Sequence, residues 1–134
     1  MTQMIQRMNP PSLPDAGAIG YSQITTVEPG RMAYISGQVA IDPDGGPVPS
    51  GLADQTDIVV RNARAALAAA GATPQDLVMV RVYVVDLTPD RMNASMPSLL
   101  ALFDGAQPSV TGIGVAALAD PQFQIEVEMI ARVP

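Results

Sequence analysis

"DLVMVRVYVVDL", residues 76–87, alternates as a strand lying on a core does. Val78, Val80, Val82 and Val84 form one uniform β-branched face, and Met79, Arg81, Tyr83 and Val85 form the other. A flat valine face calls for a smooth partner, and the segment upstream supplies it. Residues 52–70, "LADQTDIVVRNARAALAAA", place Leu52, Val59, Ala63, Ala66, Leu67 and Ala70 on one helical stripe. Ser50 is the expected N-cap, Asp54 and Asp57 suit the positive end of the helix dipole, and Gly71 is a C′ stop. The alanines let this helix lie close against a sheet.

Downstream, a second helix begins at Thr88-Pro89, a cap followed by an N1 proline, and runs to about Phe103. Pro97 within it predicts a kink or a late start at Ser95. Two strands follow, Ser109 to Ala117 and Phe123 to Val133. Upstream, a short strand from Gln3 to Met8 leads into the Pro-rich loop "NPPSLPDAGAIG". "YSQITTVEPGRMAYISGQVAID" then reads as a hairpin about Glu28-Pro29-Gly30, and "DPDGGPVPSG" as loop. This order predicts an α+β fold, a mixed sheet with two helices on one face. The uncovered face carries Met79, Tyr83, Ile130 and a glycine-bearing strand, which predicts that another subunit covers it.

Composition narrows the chemistry. The 134 residues read as a single domain, 1–134, with a net charge of −6. Cysteine, histidine and lysine are all missing. That excludes disulfides, thiolate nucleophiles and Schiff-base lysines, and it removes the usual neutral-pH base and the commonest zinc ligand. Seven scattered arginines on an acidic chain argue against a nucleic-acid surface. The N-terminus shows neither an apolar signal core nor a span long enough for a bilayer, so a cytoplasmic protein with no membrane partner is expected. "DPDGG" lacks the spacing and terminal glutamate of a calcium loop, and no other metal or cofactor motif is present.

Few residues remain that could act on a substrate. In "QPSVTGIGVAAL", residues 107–118, Val110, Gly112, Gly114 and Ala116 share one strand face. The glycines make room either for a neighbouring backbone or for a small ligand that meets exposed amides. Glu126 and Glu128 stand about 7 Å apart on one face of the last strand, as a solvated face or as a general base tuned by burial. Arg81, between valines, pairs with a carboxylate or holds an anionic substrate.

"GYSQ", "ISGQVAIDPDGG", "AAAGATPQDLVMVRVYVVDL" and the closing "IEVEMIARV" together resemble the RidA/YjgF family over about residues 19 to 132. The resemblance implies a chorismate-mutase-like fold and a homotrimer with ligand clefts between subunits. It also implies cofactor-free hydrolysis of reactive enamine and imine acids to 2-oxo acids and ammonia. Tyr21, Ser36 and Asn93 match cleft residues of the family, and Glu126 matches the carboxylate that activates water. Here the chain departs from the pattern: the family's carboxylate-binding arginine falls on Val110 and a nearby cysteine on Gly112. A deaminase with a preference for uncharged or bulkier imines is therefore expected, unless Arg81 or Arg91 replaces the clamp. A non-catalytic trimer that binds a small ligand or a partner is the alternative. The ribonuclease label carried by some relatives fits the acidic, lysine-free composition least well.

Overall fold

The computed structural model describes residues 4–134. Among them the chain forms β1 (Ile5–Met8), β2 (Ile24–Val27), β3 (Arg31–Gln38), α1 (Leu52–Ala69), β4 (Leu77–Val85), α2 (Pro89–Phe103), β5 (Ser109–Val115) and β6 (Ile125–Val133). The element order is the expected one. Gln3, the expected start of the first strand, lies outside the described residues.

Four strands form a mixed sheet in the order β3-β6-β4-β5, with β4 and β5 parallel and the other pairs antiparallel. A parallel pair needs a crossover, and α2 provides it. β6 alternates strictly: Ile125, Val127, Met129, Ala131 and Val133 are buried and the residues between them are not. β4 alternates with one correction. A register shift against β6 between Leu77 and Met79 changes its phase, so Leu77 is buried with Val80, Val82 and Val84 while Val78 is only half-buried. Over this face lie Val59, Ala63 and Leu67 of α1 and Leu99, Leu102 and Phe103 of α2, forming one core.

α1 differs from expectation at its cap, and α2 starts at the expected cap and N1 proline. Gly51, not Ser50, is the N-cap of α1, with extended backbone and no side-chain cap; its carbonyl accepts from Gln55 N. Gly71, with φ +77°, follows the C-cap as expected. α2 begins at Pro89, where the Thr88 hydroxyl accepts from the Arg91 amide, and not at Ser95. Pro97 is accommodated within it, leaving the Asn93 carbonyl without its usual i+4 donor. β5 stops at Val115, short of Ala117, because its partner β4 ends at Val85 and Asp86 turns the chain at φ +52°. β6 starts at Ile125: the Gln124 amide donates to Gln55 Oε1 instead of to a strand, while its carbonyl still accepts from the Val85 amide of β4.

The hairpin about Gly30 is not formed. β2 pairs with β1 as a separate two-stranded antiparallel sheet, and β3 pairs with β6. Arg132 holds the corner, donating to the Glu28 and Pro29 carbonyls at 3.0 Å each, and a Cβ on Gly30 would lie 2.5 Å from its guanidinium. The small sheet is fastened instead beside β4 and β5. Arg7 donates to the Leu77 and Gln75 carbonyls, Thr25 and Ser109 share a hydroxyl hydrogen bond, and Ser22 bridges to Ser109.

Candidate functional site

The glycine strand faces the helices, not the open side of the sheet. Val80 pairs with Val110, Val82 with Gly112 and Val84 with Gly114, so these β5 positions share the side of the buried valines. Thr111, Ile113 and Val115 take the open side. The glycines therefore make room for Leu87, just before α2, and for Met92 in its first turn rather than for another subunit's backbone on the open face. A Cβ at Gly112 would lie 3.0 Å from Met92 Cε, and one at Gly114 would lie 3.1 Å from Leu87 Cβ.

Beside this strand is a cavity of about 210 Å³. Met92, Met96, Leu99, Leu100 and Phe103 of α2 line one side, Val82, Val110 and Gly112 the other, and Ile19, Gly20 and Tyr21 border it from the N-terminal loop. That loop is pinned to β5. Ser22, 3% exposed, takes both its hydrogen bonds there: its amide donates to the Pro108 carbonyl at 3.0 Å and its hydroxyl to the Gln107 carbonyl at 2.6 Å. The Gln107 side chain returns a bond to the Gly17 carbonyl at 3.2 Å. Tyr21 is thus held at the cavity, and Asn93 is exposed on α2 next to Met92.

Ser36 and Glu126 lie elsewhere. Glu126 is on the open face of β6, paired across the ladder with Tyr83. Gly37 sits where β3 shifts register, and the Glu126 carboxylate occupies the space its side chain would need. Ser36 borders a shallow depression of about 220 Å³ on this face with Tyr34, Arg81 and Glu128. Glu128 is the centre of that group: the Tyr83 hydroxyl donates to it at 2.5 Å and the Arg81 guanidinium at 3.4 Å. The hydrogen bond to Glu128 holds the Tyr83 phenol above its ordinary pKa, since losing the proton would set two anions together.

The candidate residues thus fall into two groups, Tyr21, Asn93, Val110 and Gly112 on the helix side and Ser36 and Glu126 on the open side. Neither arginine considered as a clamp reaches the cavity. Arg81 is on the open face with Glu128, and Arg91 donates to the Val85 carbonyl at 3.1 Å and Gln124 Oε1 at 3.0 Å. Among the described residues no cluster of acidic side chains is grouped to hold a metal ion, and no helix is long and apolar enough to cross a membrane. The α2 lining was missed from sequence, although Met92, Met96, Leu99 and Phe103 recur at helical spacing.

The architecture defines a class: an α+β protein with a mixed sheet, two helices on one face, and an apolar cavity backed by a glycine-bearing edge strand. Within that class the chain belongs to the RidA/YjgF family, whose model, described as Endoribonuclease L-PSP, matches residues 14–133. A 2-iminobutanoate/2-iminopropanoate deaminase of Escherichia coli is 31% identical over 132 residues, covering 98% of each chain. A crystal structure of a Rid-family protein of unknown function from Yersinia pestis is 35% identical, covers 98% of this chain and 100% of its own, and superposes with a TM-score of 0.91. Escherichia coli TdcF with bound serine is 28% identical, with a TM-score of 0.69 over 85% of this chain and 87% of its own.

Proposed function

We propose that the protein is a cofactor-free hydrolase of imines, built as a homotrimer of chorismate-mutase-like subunits whose two half-sites complete each other across a subunit seam. The division of the candidate residues carries this reading. Within one chain the sheet separates Glu126 and Ser36 from Tyr21, Asn93, Val110 and Gly112. A neighbouring copy that sets its open face against the β5 edge brings the two groups together. The open face is suited to such cover: Tyr34 is 76% exposed on it, beside Ile130 and Met79.

In that cleft Glu126 takes a proton from water as the water oxygen attacks the imine carbon. The C=N electron pair moves to nitrogen, to which Glu126 returns that proton, giving a neutral carbinolamine. The carbinolamine then collapses: Glu126 takes its hydroxyl proton and passes it to the amine as the C–N bond breaks, so ammonia leaves and a carbonyl compound remains. Tyr21, Ser36 and Asn93 orient the reacting group. A positioned general base contributes about 10²–10⁴-fold, so Glu126→Ala is expected to lose turnover by at least about a hundredfold with the assembly intact.

Val110 in place of a cation sets the preference. A hydrogen bond to a charged group contributes about 1.5–3 kcal/mol, and a carboxylate set against valine adds a desolvation cost. Ammonia release from freshly generated 2-iminopropanoate is therefore expected to be weak in the wild type and to rise about tenfold or more in Val110→Arg. Undiminished turnover in Glu126→Ala would sink the hydrolase. The uncharged cavity also fits a second reading, a ligand-binding trimer without turnover; a ligand that raises the Tm and is recovered unchanged distinguishes it.

A further inference from the structure

We infer that the cavity between α2 and β5 is a ring-sized subsite for the apolar group of a neutral substrate, so that the substrate class is imines of aryl or branched-alkyl carbonyl compounds that carry no carboxylate. The reaction in this statement rests on the hydrolase reading above; the subsite itself rests on the cavity. Three observations meet there. The first is size: apolar cavities of about 150 Å³ take up benzene, and this one measures about 210 Å³. The second is charge, for no charged side chain is among the residues that line it, and the two arginines nearest in role are engaged elsewhere. An anion entering it would lose its hydration with nothing in return.

The third observation is adaptability at the rim. Met92 and Met96, one turn apart on α2, present flexible thioethers to the space, and such side chains mould themselves around ligands of differing outline. Met92 can extend over β5 only because position 112 is glycine, where a Cβ would already crowd its terminal methyl at 3.0 Å. Gly112 and Met92 together set the size of the entrance. Tyr21 borders the same space from a loop that Ser22 ties to the start of β5, so a ring held inside would lie beside a hydroxyl group.

The test compares two ketones that share a ring and differ in the acid: phenylacetone and phenylpyruvate. Binding is read from the methyl resonances of the protein labelled with 13C-methyl methionine, with Met92 and Met96 assigned by Met→Leu exchange. Phenylacetone is expected to shift the Met92 and Met96 signals and to bind at least about tenfold more tightly than phenylpyruvate, with the order reversed in Val110→Arg. Equal binding of both ketones, or shifts confined to other methionines, overturns the subsite. So does a Met92 signal that responds to protein dilution and to neither ketone, which would mean that a neighbouring copy fills the cavity. Binding does not require turnover, so the two readings fail separately. Phenylacetone binding without ammonia release from its imine keeps the subsite and removes the hydrolase. Glu126-dependent ammonia release without these shifts does the reverse.

Discussion

The two faces of the four-stranded sheet are made by the same strands, yet they are built on opposite rules. On the helix side alternate residues of β6, and of β4 from Val80 on, are buried and apolar, and a cavity opens beside β5. On the open side the alternate positions hold Arg81, Tyr83, Glu126 and Glu128 among exposed apolar groups such as Tyr34. The helix side holds the fold together, and the residues lining its cavity are uncharged. The open side collects ionisable groups, with Arg81 and Tyr83 bonded to Glu128, and Glu126 on the same face. The proposed site draws on both faces, which is why that reading calls for a second copy.

Truncation on the two faces breaks or supports this contrast most strongly. Leu102 is fully buried on the core side of α2, so Leu102→Ala is expected to cost about 3 kcal/mol, the lost transfer energy plus a cavity. Urea denaturation measures it, and the loss is expected at every protein concentration. Tyr34→Ala, on the open face, is expected to act only through assembly, lowering the midpoint in a concentration-dependent way. A cost below about 1 kcal/mol for Leu102→Ala would mean that the helix side is not the stabilising face.

What could be read in advance follows the same division. The core elements were legible because burial imposes a period: the valines of β4, the stripe of α1 and the strict alternation of β6 each repeat at the interval their geometry demands. Features held by single long-range polar contacts were not. The separate β1–β2 sheet depends on Arg7 reaching Leu77 and on Arg132 reaching Glu28, partners far away in sequence. Gln55 lies within the α1 stripe as an amide, yet it is fully buried because Pro49, Gln122 and Gln124 satisfy it. The candidate residues were found one at a time, but the side of the sheet each occupies was not. For Val110 and Gly112 that depends on the register of β5 against β4, which no local pattern encodes.

The two glycines of β5 sharpen the comparison within the helix side itself. At Gly114 a new methyl would meet Leu87 Cβ at 3.1 Å, an atom fixed to the backbone, so Gly114→Ala is expected to cost about 1 kcal/mol through overpacking. At Gly112 the opposing atom is the free end of Met92, which can turn aside. Gly112→Ala is therefore expected to be nearly neutral for stability and to narrow the cavity entrance, weakening the uptake of a ring-bearing ketone. Equal destabilisation at both positions would show that Met92 is as firmly held as Leu87, and the rim would not be adaptable.

The smallest effect belongs to the open face and is read by titration. Tyr83 donates to Glu128, and that bond raises the phenol above its ordinary value near 10. Its folded pKa therefore exceeds its unfolded one, so the contribution to stability is fully present below about pH 10 and is lost as pH rises through the raised value. Tyr83→Phe is expected to remove a late phase from a tyrosinate absorbance titration. In Glu128→Gln the late phase is expected to move down toward the ordinary range, because the carboxylate that held the proton is gone. Glu126 and Arg81 are the other charged groups facing that hydroxyl, and they act in opposite directions, so neither alone accounts for the rise. A titration curve unchanged by Glu128→Gln would show that the hydrogen bond does not govern the phenol, and the Tyr83–Glu128 pair would then not distinguish the open face from the helix side.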